Sequence, residues 1–191
     1  MRARGTKPPK PMRSPVQAGA PPHPRSEDVP DVLVDCHSRM RQVTTLAAEL
    51  AARSDAPLEE VREVAAKVHR YFTVALPLHE EDEETSLFPR LLARAPQLAA
   101  TVAALRQDHE AHALRVKRLL AVCLGLKASK DRSPELLGEL AAAARALAEA
   151  WSVHLTAEER DLFPAVRTVL NAEERAAIQE EMRARRAQLP R

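Results

Sequence analysis

Aromatic residues are scarce, with three Phe, one Tyr and one Trp making up 3% of the 191 residues, and there are only four Gly. Ala and Leu carry the apolar content instead, which is the composition of a helical protein. The two cysteines, Cys36 and Cys123, are too few and too far apart for a disulfide framework or a Cys-x-x-Cys zinc site, and they read as buried thiols. No run of about 18 apolar residues occurs, so no membrane helix is expected. The opening MRARGTKPPKPMRSP lacks the apolar segment of a secretory signal, which makes a cytoplasmic location the expectation. A His-Glu-x-x-His protease motif is also missing, because His79-Glu80 is followed by Glu83 where that motif needs histidine.

The formal charge of +2 hides an uneven distribution. Residues 1–26 carry Arg2, Arg4, Lys7, Lys10, Arg13 and Arg25 with no acid, and seven prolines. Such a stretch cannot form a helix or bury enough apolar surface to offset its ordering, so residues 1–28 are expected to be a disordered basic tail. It has no aromatic residue on which a base could stack, and nucleic acid is not an expected partner.

From Asp31 onward the apolar spacing is helical, and the breakers fall at Ser54 to Pro57, Ala95-Pro96, Ser129 to Pro134, and Asn171. The expected elements are four long helices over 30–53, 57–93, 97–127 and 134–170, and a shorter fifth over 172–187. Short loops make long helices antiparallel neighbours. The expected fold is therefore all-α, an up-down-up-down four-helix bundle over residues 29–170, followed by a C-terminal helix and tail over 171–191. That fifth helix is polar apart from Ile178 and Met182, and is expected to lie across the end of the bundle or to fray.

An internal repeat lies inside this pattern. HEEDEETSLFP at 79–89 and HLTAEERDLFP at 154–164 both fit H-x-x-x-E-E-x-x-L-F-P. The repeat implies two equivalent half-bundles, each supplying similar groups. Positions four apart share a helix face, so His79 projects with Glu83 and His154 with Glu158. Glu84 and Glu159, five residues on and about 140° away, are expected to be solvated charges whose removal leaves the site intact. Asp82 could also face inward, but its counterpart is Ala157. Leu76 and Leu87 flank the first pair, Leu147 and Leu162 the second, so imidazole and carboxylate stand among core residues. An unpaired charge there would cost several kcal/mol.

Helix 1 adds His37, four residues after Leu33, and helix 3 adds His109, in line with Val102, Leu105, Val116 and Cys123. Four imidazoles and two carboxylates suit neither structural zinc, which favours thiolates, nor magnesium or calcium, which take oxygen; they suit iron or manganese as a dinuclear centre. His69 is about 80° off the ligand line and reads as structural or as a neighbour of the ligands. Tyr71 and Trp151 read as core.

At these residues the chain resembles the hemerythrin-like, His-His-Glu cation-binding family, over approximately residues 30–170. DVLVDCHSRMR is similar to that family's first-helix segment and LRQDHEAH to its third. The resemblance thus implies ligand roles for His37 and His109 beside His79 and His154, with Glu83 and Glu158 bridging two non-haem iron ions that an oxo or hydroxo group can also link. Two open coordination positions would then admit dioxygen, nitric oxide, peroxide or water. Two departures set the chain apart from the oxygen carriers. They use a His-x-x-x-His pair on helix 3 and a His-x-x-x-x-Asp pair on helix 4, where this chain has His109 and His112 three apart and His154-x-x-x-Glu158. It looks more like the iron-sulfur repair and iron-sensing members.

His109 and His112 compete for the helix 3 position. His37 to His79 and His112 to His154 are equal separations, which favours His112, while the segment match favours His109. We rank His109 first and keep His112 as a possible fifth imidazole. The leading function is a di-iron protein that binds, senses or scavenges a diatomic gas or iron. The alternatives are a di-iron enzyme that reduces nitric oxide or peroxide or oxidises ferrous iron, an iron donor for iron-sulfur repair, or a bundle without metal.

Overall fold

The computed structural model describes residues 28–53 and 55–189, which are helical with no strand. The stretch expected to be a disordered tail lies outside the described residues, except for Asp28. Four rods form the bundle. Helix α1 runs over Val29–Ala52; α2 over Leu58–Glu81 continues through a π-helical turn, Asp82–Leu87, into α3, Phe88–Arg94. Helix α4 spans Ala99–Ala128, and α5 over Pro134–Ala157 continues through a second π-helical turn, Glu158–Leu162, into α6, Phe163–Val169. A final helix, α7, covers Ala172–Ala187. Going round the bundle, α1 packs on α2, α2 on α4, α4 on α5 and α5 on α1.

The ends follow ordinary capping chemistry. Asp28 accepts a hydrogen bond from the Val29 amide at 2.8 Å, Ser133 caps α5 ahead of Pro134, and Asn171 with Glu174 forms a capping box on α7.

The two rods expected to be continuous helices over 57–93 and 134–170 are interrupted, and the cause is the proline that ends each repeat. Pro89 and Pro164 have no N–H to donate, and in an α-helix each ring would meet the carbonyl four residues back. The backbone widens ahead of each instead. The Phe88 amide bonds to the Glu83 carbonyl and the Phe163 amide to the Glu158 carbonyl, five residues back in both cases. Each wide turn starts at or beside a repeat glutamate.

The core has two parts. One is built on Met40, Val68, Phe72, Leu119, Leu147, Trp151 and Leu155. The other, around Leu33, Leu87, Phe88, Leu105, Leu162 and Phe163, also takes in Ile178 and Met182. Along each rod a polar stretch separates the two: His37 falls between Leu33 and Met40, Glu83 between Leu76 and Leu87, and His112 between Leu105 and Val116.

Helix α7 neither frays nor lies idle. Ile178 and Met182 are buried, and its arginines grip the first π turn. Asp82, 1% exposed, accepts from Arg185 and Arg186, each at 2.6 Å, while Arg185 also donates to Thr85 and Ser86. Arg90 on α3 holds Glu181 through two bonds at 2.7 and 3.0 Å. Replacing Asp82 with Ala removes the carboxylate shared by two guanidinium groups, and should cost about 2–3 kcal/mol, less than breaking a fully buried pair because Arg186 is partly exposed and Arg185 keeps Thr85 and Ser86. The measurement is the denaturant midpoint; an unchanged midpoint would show that α7 is not tied down through Asp82.

Candidate metal centre

The polar layer contains two groups of four buried or half-buried donors. His37, His79, Glu83 and Glu158 form one, and Glu83, His109, His154 and Glu158 the other, with the donor atoms of each group within 4.8 Å of one another. Both glutamates belong to both groups.

The two halves are wired crosswise. His37 of the first half places Nε2 3.1 Å from Glu158 of the second, and His109 of the second half places Nε2 3.4 Å from Glu83 of the first. Within the rods, His154 stands 3.2 Å from Glu158 and His79 3.6 Å from Glu83, one turn apart as the spacing requires. The outer ring nitrogens are crossed too: His37 Nδ1 lies 2.8 Å from Glu159, and His109 Nδ1 3.0 Å from Glu84.

Those last contacts overturn the expectation that Glu84 and Glu159 are idle surface charges. The phase argument assumed an unbroken α-helix, whereas a turn closed over five residues brings the second glutamate round toward the neighbouring rod. Arg106 and Arg41 hold them from outside, at 2.7 and 2.8 Å. The phenylalanines of the repeat make the same cross-over, Phe163 stacking on His37 with centroids 5.4 Å apart and Phe88 on His109 at 6.3 Å. The signal was present in the sequence: the second glutamate and the phenylalanine are identical in both copies.

His109 is accordingly the counterpart of His37 in every contact. His112 is buried one turn away, its ring 5.3 Å from that of His154 and 6.4 Å from Trp151, and it lies outside both donor groups. Burial and the neighbouring His154 lower its pKa to about 4. His69 stands half-buried near Lys127, away from the centre, and Tyr71 packs on Phe72. Asp108, which the sequence did not single out, lies 3.4 Å from His154 Nδ1.

The electrostatics call for positive charge between these groups. A carboxylate can only accept, so the Glu159 contact puts the proton of neutral His37 on Nδ1 and leaves the Nε2 lone pair facing Glu158. Both oxygens of Glu83 and of Glu158, Nε2 of His37 and both ring nitrogens of His79 are buried without a hydrogen-bond partner. Burial and the Glu158 charge push Glu83 well above the usual carboxylate range. Burial would raise Glu158 as well, but the facing His154 and His37 rings outweigh it and hold that carboxyl low. Burial and His37 take the His79 pKa down to about 3, which favours the neutral imidazole. Imidazole lone pairs and paired carboxylates gathered in this way fit bound cations.

A helical bundle with a buried histidine and glutamate cation centre is thus the class the fold and donors define. Residues 28–166 match the Hemerythrin HHE cation binding domain, and the chain belongs to that family. It is also 34% identical over 86 residues to a protein of Haemophilus influenzae that carries the description "Uncharacterized protein"; the match covers 42% of this chain and 48% of that one. The chain thus spans about half the length of this curated relative.

Two outcomes follow from the crossed wiring. Glu84→Gln and Glu159→Gln should each weaken metal binding about ten-fold by freeing a ligand ring to rotate or change tautomer, as measured by competition with a coloured chelator. Unchanged affinity in both would return these glutamates to the role of solvated charges. His109→Ala should lose bound metal while His112→Ala keeps it, read as metal per chain on folded protein; the reverse result would exchange the two histidines.

Proposed function

We propose that the centre holds two non-haem iron ions and that the protein binds, senses or scavenges dioxygen, nitric oxide or iron itself. The observation that carries this reading is the sharing of Glu83 and Glu158 by both donor groups. Two carboxylates common to two sets of imidazoles suit a pair of bridged ions better than two separate ones. In this reading His37 and His79 are the terminal ligands of one ion and His109 and His154 of the other; His112 is a neighbour.

Bound iron would supply Lewis acidity and one-electron redox chemistry for a small ligand. The chain's own residues do the rest. Glu159 and Glu84 fix the tautomers of His37 and His109, and Phe163 and Phe88 hold those rings flat. The two apolar plugs keep bulk water from the donor layer. With both cysteines free and no described helix long and apolar enough to cross a membrane, a reducing cytoplasm is the proposed setting.

Anaerobic metal analysis of the purified protein should give two irons per chain, and Glu83→Ala and Glu158→Ala should each lower it. Titration with dioxygen or nitric oxide should then alter the near-ultraviolet charge-transfer absorption reversibly and stoichiometrically. Repeated consumption of nitric oxide or peroxide with a reductant present would make the protein an enzyme instead, and iron-free folded protein would remove the reading altogether.

A further inference from the structure

The two halves match at the donors but not around them. On the side of His37 and His79, the position that could open the centre is filled by Leu155, which is fully buried. Helix α7 roofs the same side through Asp82, and Arg186 also hydrogen-bonds Cys36, next to His37. His37 and His79 are 0% and 3% exposed at the side chain.

On the side of His109 and His154 the α7 roof has no counterpart, since Ala157 stands opposite Asp82, and the places of Leu155 and Cys36 are taken by acids. The counterpart of Leu155 in the repeat is Glu80, half-buried and within electrostatic reach of His109, His154 and Glu84. The counterpart of Cys36, the residue before the first-helix histidine, is Asp108, whose carboxylate is 45% exposed and touches His154 Nδ1. His109 is the outermost of the six donors, at 10% exposure. Behind these acids lies the Glu83 carboxylate, fully buried, without a hydrogen-bond partner and directed at His109.

Two arginines lie near this face, and both are engaged: Arg106 by Glu84, and Arg115 by the Ala111 carbonyl. Among the described residues no arginine or lysine pairs with Glu80 or Asp108. Burial holds the Glu80 carboxyl above its ordinary range, opposed by the two histidines it faces. A carboxylate half-buried without a hydrogen bond, where the other half places leucine, costs stability that a passing cation would offset.

Resting on the two-ion reading above, we propose that the face framed by Glu80 and Asp108 is the passage by which a divalent cation reaches and leaves the centre. The ion between His109 and His154 then exchanges with solvent, and the ion between His37 and His79 is retained. The two acids hand the cation from water to Glu83, which the passage reaches first. Carboxylates beside the most exposed of the donors raise the local cation concentration and the association rate, and they do so less as salt increases.

The test is rapid mixing of the full-length protein with ferrous iron under anaerobic conditions, and of the loaded protein with a membrane-impermeant, coloured chelator. Release should occur in two phases of one equivalent each. Glu80→Gln, Asp108→Asn and the symmetry-restoring Glu80→Leu should each slow uptake and the fast release about ten-fold, leaving two irons per chain, and the effect should shrink with added salt. Glu110→Gln, on the same helix with the same charge change, should leave both rates alone. Two irons leaving in a single phase, or a fast phase that Glu80 and Asp108 variants do not slow, would overturn the passage while leaving the two-ion centre standing. Fewer than two irons in the unmodified protein would overturn both.

Discussion

Glu83 and Glu158 stand side by side, fully buried, and among the described residues none of their four oxygens has a hydrogen-bond partner. Ionised and alone, such a pair would repel strongly in a low-dielectric layer, and burial together with the Glu158 charge pushes the Glu83 carboxyl well above the usual carboxylate range. Every other feature of the middle of the bundle is arranged around that arrangement. The imidazoles converge on the carboxylates, their outer nitrogens are tied to further carboxylates, and apolar plugs on both sides prevent water from dissolving the problem. Such a layer is a poor way to stabilise an empty bundle, since leucines of similar volume would do it better.

The same carboxylates explain why the halves cannot act singly. Each half carries a complete His-x-x-x-Glu pair, but its other donor histidine is oriented by the other half's second glutamate and packed by the other half's phenylalanine. The four rods must therefore be assembled before either group of donors has its geometry. Association of the halves and formation of the donor layer are one event.

Much of this was legible in the sequence because it depends on local spacing. Helix number, the loops at Pro57, Pro96 and Pro134, and the pairing of each repeat histidine with the glutamate four residues on all follow from periodicity and turn chemistry. What escaped was the backbone's departure from the α-helix. Treating 79–89 as regular helix pointed Glu84 away from the centre, because the phase of an α-helix has no allowance for the extra residue that Pro89 forces into the turn. His109 ranks above His112 by the match to the family's third-helix segment, because helical phase cannot separate the two. Both lie on the inward side of α4, and equal sequence separation favoured the wrong counterpart of His37, since the loop before α5 is longer than the one before α2. The docking of α7 was only half legible: Ile178 and Met182 marked its apolar residues, but nothing in the spacing paired its arginines with Asp82.

The proline is where these threads meet. A proline just beyond the ligands would ordinarily damage a helix, yet each copy of the repeat keeps one, and the damage is what makes two consecutive glutamates useful. In a regular helix, neighbours on the chain diverge by about 100°, so one of any adjacent pair must leave the centre. Widening the turn lets the first glutamate face the donor layer and the second reach the neighbouring rod's histidine, with the phenylalanine before the proline brought under that same ring. The residue lost from the hydrogen-bond ladder is thus exchanged for a carboxylate in each layer around the site. That exchange explains why Glu-Glu and Leu-Phe-Pro occur together in both copies, where a bundle built only for packing would need neither.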